Sequence, residues 1–182
     1  MVMTLGLIEL NSIAMGFEVA DAMVKAADVK LLQANTICPG KFIVMISGDV
    51  GSVKASIEAG KATGMHGIVN QLLLPKLHTQ IIPAITGTSE VELGKSLGVL
   101  EFFSIATALV ASDAAAKAAD VSIVEIRLGL GIGGKAFVTL TGDVSAVTCA
   151  VEAGANIGKE SGMLVYKTVI PRPSLDLMER LI

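Results

Sequence analysis

The sequence predicts an α/β fold made twice over, a strand–helix–strand–strand–helix–strand unit followed by a second copy of itself. Three observations support this. Leu5-Gly6-Leu7-Ile8-Glu9 recurs as Leu97-Gly98-Val99-Leu100-Glu101, and Lys25-Ala26-Ala27-Asp28-Val29 recurs letter for letter as Lys117-Ala118-Ala119-Asp120-Val121. Further along, with the register lengthened by two residues, Gly48-Asp49-Val50 answers Gly142-Asp143-Val144 and Glu58-Ala59-Gly60 answers Glu152-Ala153-Gly154; near the end Leu74-Pro75-Lys76 answers Ile170-Pro171-Arg172. Between these matches, short β-rich runs alternate with segments of helical spacing, the pattern of helices packed on one antiparallel-rich sheet.

In the first copy, residues 3–10 read as a strand with Ile8 and Leu10 among its apolar members. Ser12 is placed to cap a helix running to about Ala27, with Phe17, Ala20, Val24 and Ala27 on one face. Val29–Asn35 and Phe42–Ser47 are β-rich runs joined by the loop Thr36-Ile37-Cys38-Pro39-Gly40-Lys41, in which Pro-Gly favours a tight turn. Asp49 caps a second helix, with Val50, Val53 and Ile57 at helical spacing, that ends near Gly64; Ile68–Leu74 is the last strand. Polar residues from Thr86 to Ser96 mark a linker, giving domains at 1–90 and 91–182. The second copy runs through 97–102, 105–119, 121–127, 136–141, 144–158 and 163–170, and a short helix from Ser174 to Leu181 closes the chain. Its two extra residues fall in the loop Leu128 to Gly134.

Composition narrows the functional classes. Hydrophobic residues make up 52% of the 182 residues and mean hydropathy is +0.70, yet no apolar run reaches the ~18 residues that cross a bilayer. That combination points to a soluble chain burying much surface against other subunits. A net charge of −3 and 3% aromatic residues provide neither a basic footprint nor stacking platforms, so nucleic acid is not an expected partner. The start, Met1-Val2-Met3-Thr4-Leu5, lacks a basic region, which argues against secretion, and two cysteines in a cytosolic setting favour free thiols or metal ligands over a disulfide.

The repeated LG-hhE strand, the KAADV helix end, the hairpin loop, the GDV helix start and the IPRP ending together resemble bacterial microcompartment shell domains. Two fused copies resemble the tandem-domain, trimer-forming shell proteins. TICPGKF at Thr36–Phe42, GIGGK at Gly131–Lys135 and VIPRP at Val169–Pro173 resemble most closely the iron–sulfur-bearing subgroup of propanediol-utilisation compartments. The resemblance covers essentially the whole chain. It implies two tandem, ferredoxin-like-related microcompartment domains, a homotrimer that is pseudo-hexameric, and a cytoplasmic place in the shell beside other shell proteins. It also implies a structural role rather than catalysis, and encapsulated redox enzymes as further partners. Pore-lining positions are then Ile37, Cys38, Pro39 and Gly40 of one loop and Gly131, Ile132 and Gly133 of the other. Tile-edge contacts fall to Lys25, Lys117, Lys76 and Arg172; Arg172 is the stronger candidate because Lys76-Leu77 replaces Arg-Pro in the first copy.

With the first loop on a three-fold axis, each trimer brings three Cys38 thiols together, since the second loop has no cysteine. Converging soft thiolates select an iron–sulfur cluster, zinc or copper(I). The resemblance implies a [4Fe–4S] cluster, one per trimer, held by three Cys38 ligands plus one exogenous ligand, with electrons or clusters passing across the shell; the residues themselves place Lys41 to offset cluster charge. The residues alone leave other readings open: Cys38 as mere lining of a metabolite-conducting pore, or as the thiol of a small oxidoreductase. Cys149 reads as core packing, and His66 and His78 as surface or loop residues. Glu9 and Glu101, repeated at matching positions, suggest a structural bond made in both halves. The glycines of residues 129–134 precede a strand rather than a helix, which disfavours a phosphate loop and suits close backbone approach at an axis.

Overall fold

The computed structural model describes residues 3–92 and 96–180. It divides into two compact units, Met1–Leu77 and His78–Ile182. The first unit contains β1 (Thr4–Leu10), α1 (Ile13–Ala26), β2 (Lys30–Ile37), β3 (Lys41–Gly48), α2 (Val50–Gly64) and β4 (Ile68–Leu74), with a 3-10 turn at Met65–Gly67. The second opens with α3 (Ile81–Thr86) and repeats the series as β5 (Ser96–Phe102), α4 (Ile105–Ala118), β6 (Ser122–Leu128), β7 (Ala136–Gly142), α5 (Val144–Glu160) and β8 (Leu164–Pro171), then α6 (Leu175–Met178). Each unit has one antiparallel sheet, ordered β2-β3-β1-β4 and β6-β7-β5-β8. Placing the first strand at the centre explains its composition: all seven residues of β1 are buried.

The caps expected from sequence form. Ser12 accepts a hydrogen bond from Met15 N, and Asp49 accepts from Gly51 N and Ser52 N. In the first unit the core lies between the helices and one sheet face, where Ile8, Leu10, Phe42, Val44 and Ile46 meet Val19, Ala20, Met23, Val53 and Ile57. The face expected for α1 needs correcting. Gly16, Val19, Ala20 and Met23 are the buried positions, whereas Phe17 and Val24 are exposed. The Phe42 ring occupies the space over Gly16, so the Phe17 ring packs beside it, 4.9 Å between centroids, and stays 61% exposed. Val50 likewise sits at the exposed first turn of α2 while Val53 and Ile57 face inward.

The segment that separates the repeats contains more structure than its composition announces. Gln80 Nε2 donates to the Val121 carbonyl (3.1 Å) and its Oε1 accepts from Ile123 N (2.7 Å), so one side-chain amide caps the edge of the second sheet beside β6. His78 N donates to the buried carboxylate of Asp113 (2.8 Å), and Gly87 closes α3 at φ 67°. The sequence-based boundary at 90/91 falls after this segment, which packs with the second unit. Residues 93–95 of the expected linker, and Leu181 of the expected terminal helix, lie outside the described residues.

Candidate functional site

The turn holding Cys38 is set directly by the sheet. β2 ends at Ile37 and β3 begins at Lys41, and these two residues face one another as the last pair of the ladder. Gly40 N donates to Ile37 O (3.0 Å) across a cis Cys38–Pro39 peptide, the arrangement of a type VI turn. Gly40 has φ 80°, and a β-carbon there would touch nothing within 4 Å, so glycine serves the backbone angle rather than close packing. Ile37 is buried, Cys38 half-buried, and Pro39 and Gly40 exposed at the tip. With only three residues between paired positions, the cysteine has little freedom independent of the strands.

The foot of the hairpin is tied to the central strand. Lys41 Nζ donates to Glu9 Oε1 at 2.6 Å, with the Glu9 side chain 7% and that of Lys41 31% exposed. In the second unit Lys135 donates to Glu101 in the same way. The repeated acids therefore make the matching bonds that their duplication suggests. The expectation that Lys41 offsets cluster charge needs qualifying, because its ammonium group is already engaged by Glu9.

The loop of the second unit is longer and takes another route. Gly129, Gly131, Gly133 and Gly134 all have positive φ, from 68° to 78°, and Gly129 N donates to Lys135 O (2.9 Å). Around Gly131 and Gly133 a β-carbon would again find open space. Within one chain, then, these glycines answer a conformational demand. Gly131 and Gly133 are exposed and Ile132 is half-buried.

Lys25, Lys117, Lys76 and Arg172 are exposed. Lys25 pairs with Asp21 at 2.6 Å on the surface, and Lys117 pairs with Asp113, whose carboxylate is buried. Lys76 and Arg172 share a left-handed backbone (φ 55° and 54°), each directly after a proline, Pro75 and Pro171. Non-glycine residues seldom take this conformation, and here it recurs at corresponding places. Cys149 departs from expectation. It is exposed on α5 with Sγ 3.8 Å from the Ala118 carbonyl, because that helix turns Val147, Ala150 and Val151 inward instead. His66 is exposed and His78 half-buried. Among the described residues no three His, Cys, Asp or Glu side chains come together as a metal site.

The family model for the BMC domain matches twice, at residues 4–77 and 96–173. The chain belongs to the BMC domain family. Each BMC match spans one of the four-stranded sheets, and residues 78–95, including α3 and Gln80, lie between them. The chain is 42% identical over 178 residues to the bacterial microcompartment shell protein PduT of Citrobacter freundii, covering 98% of this chain and 97% of that one. The crystal structure of a microcompartment protein from Desulfitobacterium hafniense DCB superposes with a TM-score of 0.95 at 51% identity, covering 99% of both chains. A fused permuted hexameric shell protein of the RMM microcompartment is more distant, with TM-score 0.59 and 26% identity over 87% and 84% of the two chains. The Citrobacter and RMM relatives are shell proteins, and this tandem BMC chain is a structural shell protein of the PduT-like kind.

Proposed function

We propose that this chain is a tile of a bacterial microcompartment shell in the cytoplasm, assembling as a homotrimer. Its six BMC domains would form a pseudo-hexagonal ring whose centre is lined by residues 37–40 and 131–133, and it would pack against other shell proteins along edges carrying Lys25, Lys117, Lys76 and Arg172. Full-length similarity to a shell protein supports the tile. Three of the chain's six aromatic residues, Phe17, Phe103 and Tyr166, are exposed, which supports burial against other copies.

The same reading gives the trimer one [4Fe–4S] cluster at the pore. Cys38 is a soft donor on a short turn at the end of a hairpin, half-buried and outside any disulfide. One chain supplies one such ligand, so the set is completed only by copies around an axis; three thiolates leave the fourth iron to an exogenous ligand. On that arithmetic the residues fit. When bound, such a group supplies one-electron chemistry, suited to passing electrons or clusters between the two sides of the shell and to redox enzymes within. The chain's part is to present Cys38 and to surround it with a backbone turn of low bulk at Pro39 and Gly40.

The observation that carries this reading is the placement of Cys38 at the tip of the first hairpin, with no counterpart in the second. Protein purified and reconstituted without oxygen should show a broad visible band and, on reduction, an EPR signal, with iron near four per three chains. Cys38→Ser should abolish both, and Cys149→Ala should abolish neither. Iron-free, colourless wild-type protein would overturn the cluster and leave the tile standing, with Cys38 as pore lining.

A further inference from the structure

We propose that Glu9 and Lys41 are positioning residues for Cys38, a clamp that fixes the direction in which the first hairpin presents its thiol; this rests on the reading of Cys38 as a cluster ligand. The pair joins two strands at a defined point. Glu9 belongs to β1, one of the two inner strands, and faces Ile43 of β3, while Lys41 is the first residue of β3, the other inner strand, and faces Ile37 of β2. Their 2.6 Å bond therefore crosses from the middle of the sheet to the residue where the hairpin leaves it. Glu9 lies on the sheet face opposite the helix-facing Ile8 and Leu10, so the bond braces the hairpin from the side that α1 and α2 do not support.

The second unit supplies a comparison within the same molecule. Its loop is longer, so the spacing from acid to lysine is not the same in sequence, yet Glu101 and Lys135 make the same contact. The bond has survived a change in the loop it anchors. The two loops differ in how much of that anchoring they can pass on. From Lys41 back to Cys38 there are only Gly40 and Pro39, and Gly40 N is bonded to Ile37 O. From Lys135 back towards Gly131 the path runs through Gly134 and Gly133, both left-handed and with open space around Gly133. A fixed foot therefore fixes the tip in the first hairpin and much less so in the second. Removing the lysine would leave the little-exposed Glu9 side chain without its compensating partner, which is why the contact resists loosening.

The test uses the full-length protein in a Cys149→Ala background, with Lys41→Met, Lys41→Arg and Glu9→Gln compared with Lys135→Met. After reconstitution, Lys41→Met and Glu9→Gln should lose bound iron to a chelator about tenfold faster than the parent and show an altered EPR line shape, Lys41→Arg should restore both, and Lys135→Met should leave both unchanged. In iron-free protein, amide hydrogen exchange of residues 36–42 should quicken about tenfold in Lys41→Met and return to the parent rate in Lys41→Arg. Parent-like iron retention and spectrum in Lys41→Met would overturn the proposal, as would equal losses from Lys135→Met, which would mark the effect as general destabilisation. If the parent itself binds no iron, the cluster reading fails, and the exchange rates alone decide the clamp: unchanged exchange in Lys41→Met overturns it, and Arg-rescued acceleration supports it.

Discussion

Gly16 and Phe42 show how single residues divide the work of packing. A methyl group on Gly16 would lie 2.3 Å from Phe42 Cδ1, inside van der Waals contact, so α1 approaches β3 only because that position is bare. The second unit solves the same volume differently: Ala108 corresponds to Gly16, Ala136 replaces Phe42, and the large ring moves to Phe102 on the neighbouring strand, facing Ala136 where Leu10 faces Phe42. Gly16→Ala should therefore destabilise the protein by about 1–3 kcal/mol, and in a Phe42→Ala background the same change should cost nothing or stabilise. Urea unfolding of the four proteins of the cycle measures this; an equal cost in both backgrounds would show that the helix yields instead. Such exchanges explain why residue-level expectations failed for Phe17, Val24 and Cys149. Periodicity locates a helix and its phase only to within one position, and which neighbour turns outward depends on a ring arriving from another strand.

At the scale of elements the chain was legible wherever a local interaction decides the boundary. Ser12, Asp49 and Ser104 stand at the helix starts because their side chains satisfy otherwise unpaired amide groups, and that requirement is written in a few adjacent letters. α3 was not legible, since its reason for existing is remote: the Gln80 amide meets the backbone of Val121 and Ile123, at the start of β6, some forty residues away. The cap at Asp49 also carries a pH signature. The Ser52 hydroxyl, then the Ser52 amide and, more weakly, the amides of Gly51 and of Asp49 itself hold its carboxyl below the ordinary value of 3.8. A carboxyl with a depressed folded-state pKa stabilises above the unfolded value, and that contribution disappears as pH falls through the folded one. Melting temperatures of wild type and Asp49→Asn should thus differ most above pH 3.8, with the wild type higher, and converge on further acidification. A constant difference down to pH 2 would mean that the cap works through its neutral hydrogen bonds alone.

At the scale of the molecule, the duplicated sequence made the two-domain plan readable, because identical runs at matching positions constrain both halves to one topology. The candidate site was readable only in part: Cys38 is conspicuous by its asymmetry, whereas its brace joins residues 9 and 41, which only the folded register brings together. Assembly follows from the same surfaces under the proposed function. Lys76 and Arg172 keep a left-handed backbone in both repeats, a conformation costing roughly 1–2 kcal/mol for an L-residue, which points to a geometric demand shared by both edges. Because Arg172 is exposed, Arg172→Ala should change fold stability by no more than about 0.5 kcal/mol. If that side chain contacts a neighbouring tile, its loss should appear only in lateral association. Native mass spectrometry should give three chain masses for wild type and Arg172→Ala alike, whereas electron microscopy should find extended sheets for the wild type and dispersed particles for the variant. Lys76→Ala should have the smaller effect, because a lysine offers a point charge where arginine offers a planar fork of donors. Raising salt should dissolve wild-type sheets without dissociating trimers, as charged edge contacts are screened and apolar contacts between chains are not. Sheets that persist in Arg172→Ala would move the edge contact to other residues, and a monomeric wild type would remove the ring on which the pore depends.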